Sequence, residues 1–288
     1  MTTSDPARRK LATAPVDLRF ALLFAPRAQR EALAALLAIY LEIREILHKC
    51  SDPGVAEVKL AWWQEEIRLL LEHKPRHPLS QNLAGFAEKT HLPLQPFLEI
   101  IEAVRMDVGT PSFSHFADVE IYCYRRGGAL TELAASLAGT QQAITLDAAR
   151  ALGIGWQLAN IVIQTPLHAQ QGRVYFATDD LHKHSMEKHI VAGTHTDAGL
   201  KALLADYARR AHAFRDAAII NPSSTNQVLS TGWILNGLAQ ARLNKFAQRN
   251  YNTTAAPVEL HPLSSLFTAW RSARITNHQT LSKGSSTP

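Results

Sequence analysis

The amino-acid sequence predicts an all-α protein that folds as a single domain. Apolar residues recur at helical spacing along most of the chain, as in the stripe formed by Leu33, Leu36, Leu37, Tyr40 and Leu41. No segment shows sustained alternation of apolar and polar residues, so no strand is predicted. Every break between helices is short, and none has the composition of an interdomain linker. We therefore expect one bundle of about ten or more helices around a central cavity.

Short clusters rich in proline, glycine and polar residues separate the predicted helices. They occur at Ser51-Asp52-Pro53-Gly54, Lys74-Pro75, Leu92-Pro93, Thr110-Pro111-Ser112 and Asn221-Pro222-Ser223-Ser224. Between and after them we predict long helices over roughly 58–71, 114–139, 145–166, 198–219 and 227–248. Residues 15–277 are expected to form the helical domain. The polar segments 1–14 and 278–288 are expected to be flexible tails.

The composition is that of a soluble globular protein, with 46% hydrophobic and 19% charged residues. The longest apolar run, residues 32–41, is well short of the roughly 20 residues that span a bilayer. Residues 1–15 contain no apolar signal-peptide core. Two cysteines, Cys50 and Cys123, provide no disulfide framework. These features predict a cytoplasmic location, with peripheral association at the inner membrane as an alternative.

The net charge of +5 suggests an anionic partner without identifying it. Nucleic acid would favour a basic stripe interleaved with aromatic residues, and the sequence has none. Arg125-Arg126 and the other short basic groups are interpreted mainly as solvated surface charge. A phosphorylated ligand, an anionic membrane surface or a protein client remain the candidate partners.

Several motifs resemble the squalene/phytoene synthase family. They are Leu60-Ala61-Trp62-Trp63-Gln64-Glu65-Glu66, Tyr122-Cys123-Tyr124 ahead of Gly127-Gly128, Gly155-Trp156-Gln157-Leu158-Ala159-Asn160, and Gly172-Arg173-Val174-Tyr175-Phe176. The resemblance covers roughly residues 16–276 and implies an isoprenoid-synthase fold. In that family two aspartate-rich motifs on facing helices hold magnesium against a prenyl diphosphate. Magnesium then neutralises the leaving diphosphate.

The aspartates of both motifs are missing from this sequence. Carrying the resemblance over residue by residue places the first motif at Glu45 and Lys49 and the second at Gln164 and His168. Glu42 could add a carboxylate to Glu45, or both could be ordinary helix-surface residues. Neither Gln164 nor His168 is the hard anionic ligand that magnesium prefers. We therefore predict no metal site and no cofactor, with magnesium needed only if the chain is an enzyme.

Residues that contact the ligand in the family remain in part. The resemblance implies a phosphate contact for Arg173 and a neighbouring role for Tyr175, and it makes Tyr122, Gln157 and Asn160 candidate cavity residues. Arg44 is a further candidate for anion binding. The alternative is that Arg173 and the tyrosines only brace the helix. We expect Tyr40 and Trp63 to border the same cavity.

The segment Thr165-Pro166-Leu167-His168-Ala169 resembles a branch of the family that includes a mitochondrial respiratory complex I assembly factor. The leading interpretation is a non-catalytic accessory or assembly protein, with a prenyl diphosphate or lipid as candidate ligand. The alternative is a head-to-head prenyltransferase acting on farnesyl or geranylgeranyl diphosphate. His182, His184 and His189 are interpreted as a solvated histidine-rich stretch rather than a metal site.

Overall fold

The computed structural model of the protein describes residues 6–187, 197–219 and 226–274. Within these ranges the chain forms fourteen α-helices, and no strand is present. The helices are α1 Pro6–Ala12, α2 Val16–Phe24, α3 Arg30–Lys49, α4 Pro53–Leu71, α5 Pro78–Thr90, α6 Gln95–Val108, α7 Phe116–Cys123, α8 Ala129–Leu137, α9 Ala143–Ile163, α10 Thr165–Gln170, α11 Thr178–Lys183, α12 Ala198–Ile219, α13 Asn226–Gln248 and α14 Pro262–Ser272. The prediction of an all-α single domain is confirmed.

Helix α9 lies at the centre of the bundle. It packs against α8, α12 and α13, and 13 of its 21 residues are buried. Helix α3 is buried along most of its length, with Leu36, Leu37, Ile39 and Ile43 fully enclosed. One continuous apolar core therefore runs through the domain and fixes the helices that carry the polar residues of the site.

A π-helical turn, Tyr124–Gly128, joins α7 to α8 and interrupts the long helix predicted over 114–139. It lies where the chain crosses α9 at very short range. A side chain built on Gly127 would place its Cβ 2.6 Å from the carbonyl oxygen of Gly153, so only glycine fits there. Such insertions in a helix often occur at functional sites. Here the turn carries Arg126 into the interior, where only 9% of the residue is exposed.

The N-terminal segment differs from the expectation of a flexible tail through residue 14. Residues 6–12 form α1, and its residues Ala7 and Leu11 are buried in the core. Lys10 Nζ donates to carboxylate oxygens of Glu42 and Glu45 on α3, each at 2.6 Å. These contacts hold α1 on the domain. The expected tail over 278–288 lies outside the described residues.

Candidate functional site

A polar cavity of about 120 Å³ lies between α3, α9, α10 and the π-helical turn. Its lining residues share an unusual composition, since most are polar and three are arginines. They are Pro15, Asp17, Leu18, Arg44, Tyr122, Arg126, Trp156, Gln157, Asn160, Ile161, Gln164, His168, Tyr175 and Arg242. This cavity is the central feature around which the candidate site is built.

A buried carboxylate behind the cavity wall organises the site. Asp107 on α6 is fully enclosed. Its Oδ1 accepts hydrogen bonds from the hydroxyls of Tyr122 (3.0 Å) and Tyr175 (2.9 Å), and its Oδ2 accepts one from Arg126 Nη1 (2.7 Å). Arg173 Nη1 lies 3.7 Å from the same carboxylate and 3.3 Å from the Tyr175 hydroxyl. The charge of Arg126 is thus compensated on one side only, because its Nε is buried and has no hydrogen-bond partner among the described residues.

A second arginine enters the cavity from α13. Arg242 Nη2 binds Asp17 Oδ2 at the start of α2 and also donates to Asn160 Oδ1 at 3.3 Å. Burial raises the pKa of Asp17, and the positive charge of Arg242 opposes that shift. The Nε of Arg242 is buried and finds no acceptor in the described part of the chain. Arg126 and Arg242, which both line this small cavity, thus each keep one buried Nε without an acceptor among the described residues.

Arg44 on α3 contributes the third positive charge. Its Nη1 donates a hydrogen bond to the Tyr40 hydroxyl at 3.3 Å, and that hydroxyl donates in turn to the backbone oxygen of Arg126 at 2.9 Å. Burial lowers the pKa of Arg44, and the nearby charge of Arg126 lowers it further. An anion placed between the two guanidinium groups would oppose both effects, because its negative charge would favour the charged form of each group and offset their mutual repulsion.

The first aspartate-motif positions inferred from the family resemblance do not reach this cavity. Glu45 binds Lys10 and Lys49, and Lys49 borders a separate pocket of about 320 Å³ beside Trp62 and Trp63. The physical reason is helical geometry, since one residue turns the side chain by about 100° around the axis. The face that points to the cavity carries Arg44, while Tyr40, one turn earlier, lies behind the cavity wall and His48, one turn later, lies outside the lining. Burial and the charges of Arg126 and Arg44 lower the pKa of His48.

The second set of motif positions does reach the cavity. Gln164 at the end of α9 and His168 on α10 both line it, together with Gln157 and Asn160. The His168 ring lies 4.6 Å from the ring of Tyr175. Burial, followed by the charge of Arg126, lowers the pKa of His168 to about 4, so the imidazole is neutral at pH 7.

Two aromatic residues are placed differently from the expectation. Tyr40 lies behind the cavity wall, bonded to Arg126 and Arg44, rather than in the lining. Trp63 is buried but borders the separate pocket beside α3, and its neighbour Trp62 is 45% exposed. Both tryptophans instead contact the ring of His77 edge-on, with ring centres 5.8 Å and 5.0 Å apart.

Carboxylates that could bind metal are scarce around the cavity. Asp17 and Asp107 are both engaged by arginine. Among the residues that the structure describes, no group of three or more His, Cys, Asp or Glu side chains is arranged to hold a metal ion. Of the histidine-rich stretch, His184 is largely buried and lies 4.0 Å from Asp206, whereas His189 falls outside the described residues.

The sequence analysis missed four residues of this site, namely Asp17, Asp107, Arg126 and Arg242. A signal existed for Asp107, which follows Ile100, Ala103 and Val104 at the spacing of a buried helical stripe. A carboxylate at such a position is buried and needs a partner. Arg126 was interpreted as solvated surface charge, and its burial corrects that interpretation.

A second, larger chamber of about 560 Å³ adjoins the cavity. Gln164 and Arg242 line both spaces and therefore lie between them. The rest of its lining comes mainly from α10, from Leu200 and Phe246, and from the loop 252–259. Its volume is within the range of roughly 300–1,000 Å³ typical of small-molecule sites, whereas the polar cavity alone is too small for such a ligand.

No helix within the described ranges is long and apolar enough to cross a membrane.

Comparisons with known proteins give the same fold and a family. The chain is 27% identical over 239 residues to phytoene synthase 2, chloroplastic, of Oryza sativa subsp. japonica, covering 77% of this chain and 60% of that protein. It is 26% identical over 211 residues to 15-cis-phytoene synthase of Synechocystis sp. (strain ATCC 27184 / PCC 6803 / Kazusa), covering 68% of this chain and 62% of that protein. The chain thus spans less than two thirds of the length of these curated relatives.

Two crystal structures share the fold. A dehydrosqualene synthase in complex with a ligand superposes with a TM-score of 0.82 at 17% identity, covering 93% of this chain and 94% of that one. The squalene synthase HpnC from Alicyclobacillus acidocaldarius gives a TM-score of 0.78 at 20% identity, covering 85% and 93%. The sequence model of squalene/phytoene synthase matches residues 17–266, nearly the whole of the described domain. The chain therefore belongs to the squalene/phytoene synthase family.

Proposed function

We propose that this protein binds an amphiphilic anion, of the prenyl diphosphate or lipid phosphate class, through arginine rather than through magnesium, and does not ionise it. The observation that supports the proposal most is the cavity wall itself. Three arginines face the space, against one lining carboxylate, and two of them hold buried Nε donors that find no acceptor among the described residues. A charge-assisted hydrogen bond from arginine to a phosphate oxygen contributes about 1.5–3 kcal/mol, so an anion among these three side chains is favoured.

The adjoining chamber supports a ligand with an apolar part. A diphosphate group fits the size and charge of the polar cavity, and a hydrocarbon chain would extend past Gln164 and Arg242 into the larger space beside Leu200 and Phe246. Arg242 would then act at the boundary, where the head group meets the chain. Arginine suits this role because its planar fork can donate two hydrogen bonds to one phosphate.

The charges in the wall favour binding without catalysis. Ionising an allylic diphosphate requires several positive charges that strengthen their contact as the carbon–oxygen bond stretches, which metal ions do in the family. Here Arg126 and Arg242 are already shared with Asp107 and Asp17, so little of their charge is free to follow the leaving group. Such a site favours binding of the ground state more than that of the transition state.

A matched pair of assays tests this function. Farnesyl and geranylgeranyl diphosphate are incubated with the protein and magnesium, and released pyrophosphate is measured. Lipids that co-purify with the protein are identified in parallel by mass spectrometry. We expect no pyrophosphate above the protein-free control and an anionic prenyl or lipid species in the extract. Magnesium-dependent release that depends on Arg44 would establish the alternative, a prenyltransferase of the family type.

An accessory role in the assembly of a respiratory complex is a narrower form of this proposal. Its support is the resemblance of residues 165–169 to the corresponding branch of the family. A cytoplasmic location likewise stays a prediction. Co-purification of the tagged protein with complex I subunits from its native host tests the assembly role, and their absence would remove it.

A further inference from the structure

Helix α14 is packed with its small residues inward and its large apolar residues outward. Ser265, Ala269 and Ser272 are buried against the domain. On the opposite side, Leu263, Leu266, Phe267 and Trp270 are 69%, 41%, 60% and 39% exposed. These four residues, at helical positions i, i+3, i+4 and i+7, form one continuous stripe that we call the α14 outer face.

The packing of α14 on α13 fixes this orientation. A side chain built on Gly237 of α13 would place its Cβ 2.1 Å from Ser272 Oγ, so the two helices approach at the distance that only small residues allow. A large residue such as Phe267 could not enter that contact. The apolar stripe is therefore held toward the outside, and turning the helix over would break the close contact.

The charged residues of α14 and of the two residues that follow it are both arginines. Arg271 and Arg274 are exposed at its C-terminal end, and the Arg274 guanidinium lies 4.3 Å from the centre of the Trp270 ring. The rings of Phe267 and Trp270 are stacked at 5.8 Å. The sequence contains no aspartate or glutamate after Glu259. Exposed aromatic residues beside arginines are the combination that binds the interface of an anionic bilayer.

We propose that the α14 outer face docks the protein on the surface of a membrane that contains anionic phospholipid. Leu263, Leu266, Phe267 and Trp270 would enter the interfacial region, and Arg271 and Arg274 would contact lipid phosphates. A second copy of the chain is a poorer occupant, because the same face on the partner has no aspartate or glutamate that could pair with Arg271 and Arg274. This proposal is independent of the ligand of the polar cavity.

Vesicle sedimentation tests the surface directly. The full-length protein is mixed with vesicles of phosphatidylcholine alone, or of phosphatidylcholine and phosphatidylglycerol in equal parts. We expect binding to the second kind and little to the first. Phe267→Asp should weaken that binding by roughly tenfold or more, because an exposed aromatic ring no longer leaves water. Arg271→Gln should weaken it about fivefold and reduce its dependence on salt.

A matched control separates docking from unfolding. Val58 on α4 is 70% exposed and lies on a different helix, so Val58→Asp makes the same chemical change on an unrelated surface. Circular dichroism should show both variants folded, and only Phe267→Asp should lose vesicle binding. Three results would each overturn the proposal: no binding of the unaltered protein to the anionic vesicles, equal binding by Phe267→Asp, or a dimer in sedimentation equilibrium that Phe267→Asp converts to monomer.

Discussion

Arg44→Gln should weaken anion binding and at the same time stabilise the protein. Within the described part of the chain Arg44 donates one hydrogen bond, at 3.3 Å to an uncharged hydroxyl, and its pKa is lowered by burial and by Arg126. At pH 7 the guanidinium is charged in both the folded and the unfolded chain. The folded state therefore bears a desolvation cost that glutamine removes.

The magnitudes follow from the contacts. A charge-assisted hydrogen bond to phosphate is worth about 1.5–3 kcal/mol, so its loss should weaken pyrophosphate binding roughly ten- to hundredfold. A typical point substitution destabilises a protein by about 1 kcal/mol, whereas this one should leave the free energy of unfolding unchanged or raise it. Few substitutions at a merely structural arginine would show this opposite pair of effects.

The assays are calorimetric titration with pyrophosphate and unfolding in urea, each with the unaltered and the variant protein. Arg68→Gln is the matched control, because Arg68 is exposed on α4 and pairs with Glu65 at the surface. The control should change stability by less than about 1 kcal/mol and leave binding unaffected. If Arg44→Gln destabilises the protein by more than about 1 kcal/mol with no loss of affinity, Arg44 is a structural residue and the reasoning fails.

Three further substitutions test the surroundings of the cavity. Arg173→Ala should leave pyrophosphate affinity nearly unchanged and lower the free energy of unfolding by about 1 kcal/mol, because the Arg173 side chain contacts Asp107 and Tyr175. A large loss of affinity would instead favour the ligand role that the family resemblance implies. Asp107→Asn should destabilise the protein by about 3–5 kcal/mol in urea unfolding, since it leaves Arg126 buried without a counter-charge. The control Asp147→Asn breaks an exposed ion pair with Arg150 and should cost less than about 1 kcal/mol. Burial lowers the pKa of His168 from its ordinary 6.5 to about 4 in the folded protein. The free energy of unfolding should therefore be unaffected by this group above pH 6.5 and should fall, by at most about 3 kcal/mol, as the pH is lowered toward 4. His168→Gln should remove this part of the pH dependence of unfolding, and an unchanged slope would place the imidazole in solvent.

The helical fold could be predicted because apolar residues recur at helical spacing and the proline- and glycine-rich breaks fall between the segments that show this spacing. The segment 198–219 and the segment 227–248 match α12 and α13 to within one residue. The π-helical turn at residues 124–128 could not be predicted, since it depends on how closely Gly127 approaches Gly153 in another helix. Helix α1 was missed because Ala7 and Leu11 are too few residues to show a period, although both are buried.

The site could be predicted from the sequence in part. Gln164 and His168 could be placed beside the cavity because they follow Asn160, the last residue of a recognisable motif, by only one and two helical turns. Helices α9 and α10 are nearly continuous there, so the motif also fixes which way these two residues face. On α3 the sequence predicted Arg44 as an anion-binding candidate, and Arg44 lines the cavity. The family motif was placed on Glu45 and Lys49, and an offset of one residue moves these positions off the cavity face, since neighbouring positions differ by about 100°. The pairings of Asp107 with Arg126 and of Asp17 with Arg242 join distant parts of the chain, and no local pattern shows them.

Calorimetric titration of farnesyl diphosphate in the presence of excess EDTA tests the central claim most directly. If arginine replaces magnesium in this cavity, the protein binds the diphosphate in EDTA, and adding magnesium leaves the affinity within a small factor. The affinity should also fall as salt is added, because charged groups make the contact. Binding that appears only with magnesium, or no binding to the diphosphate in either condition, would contradict the account.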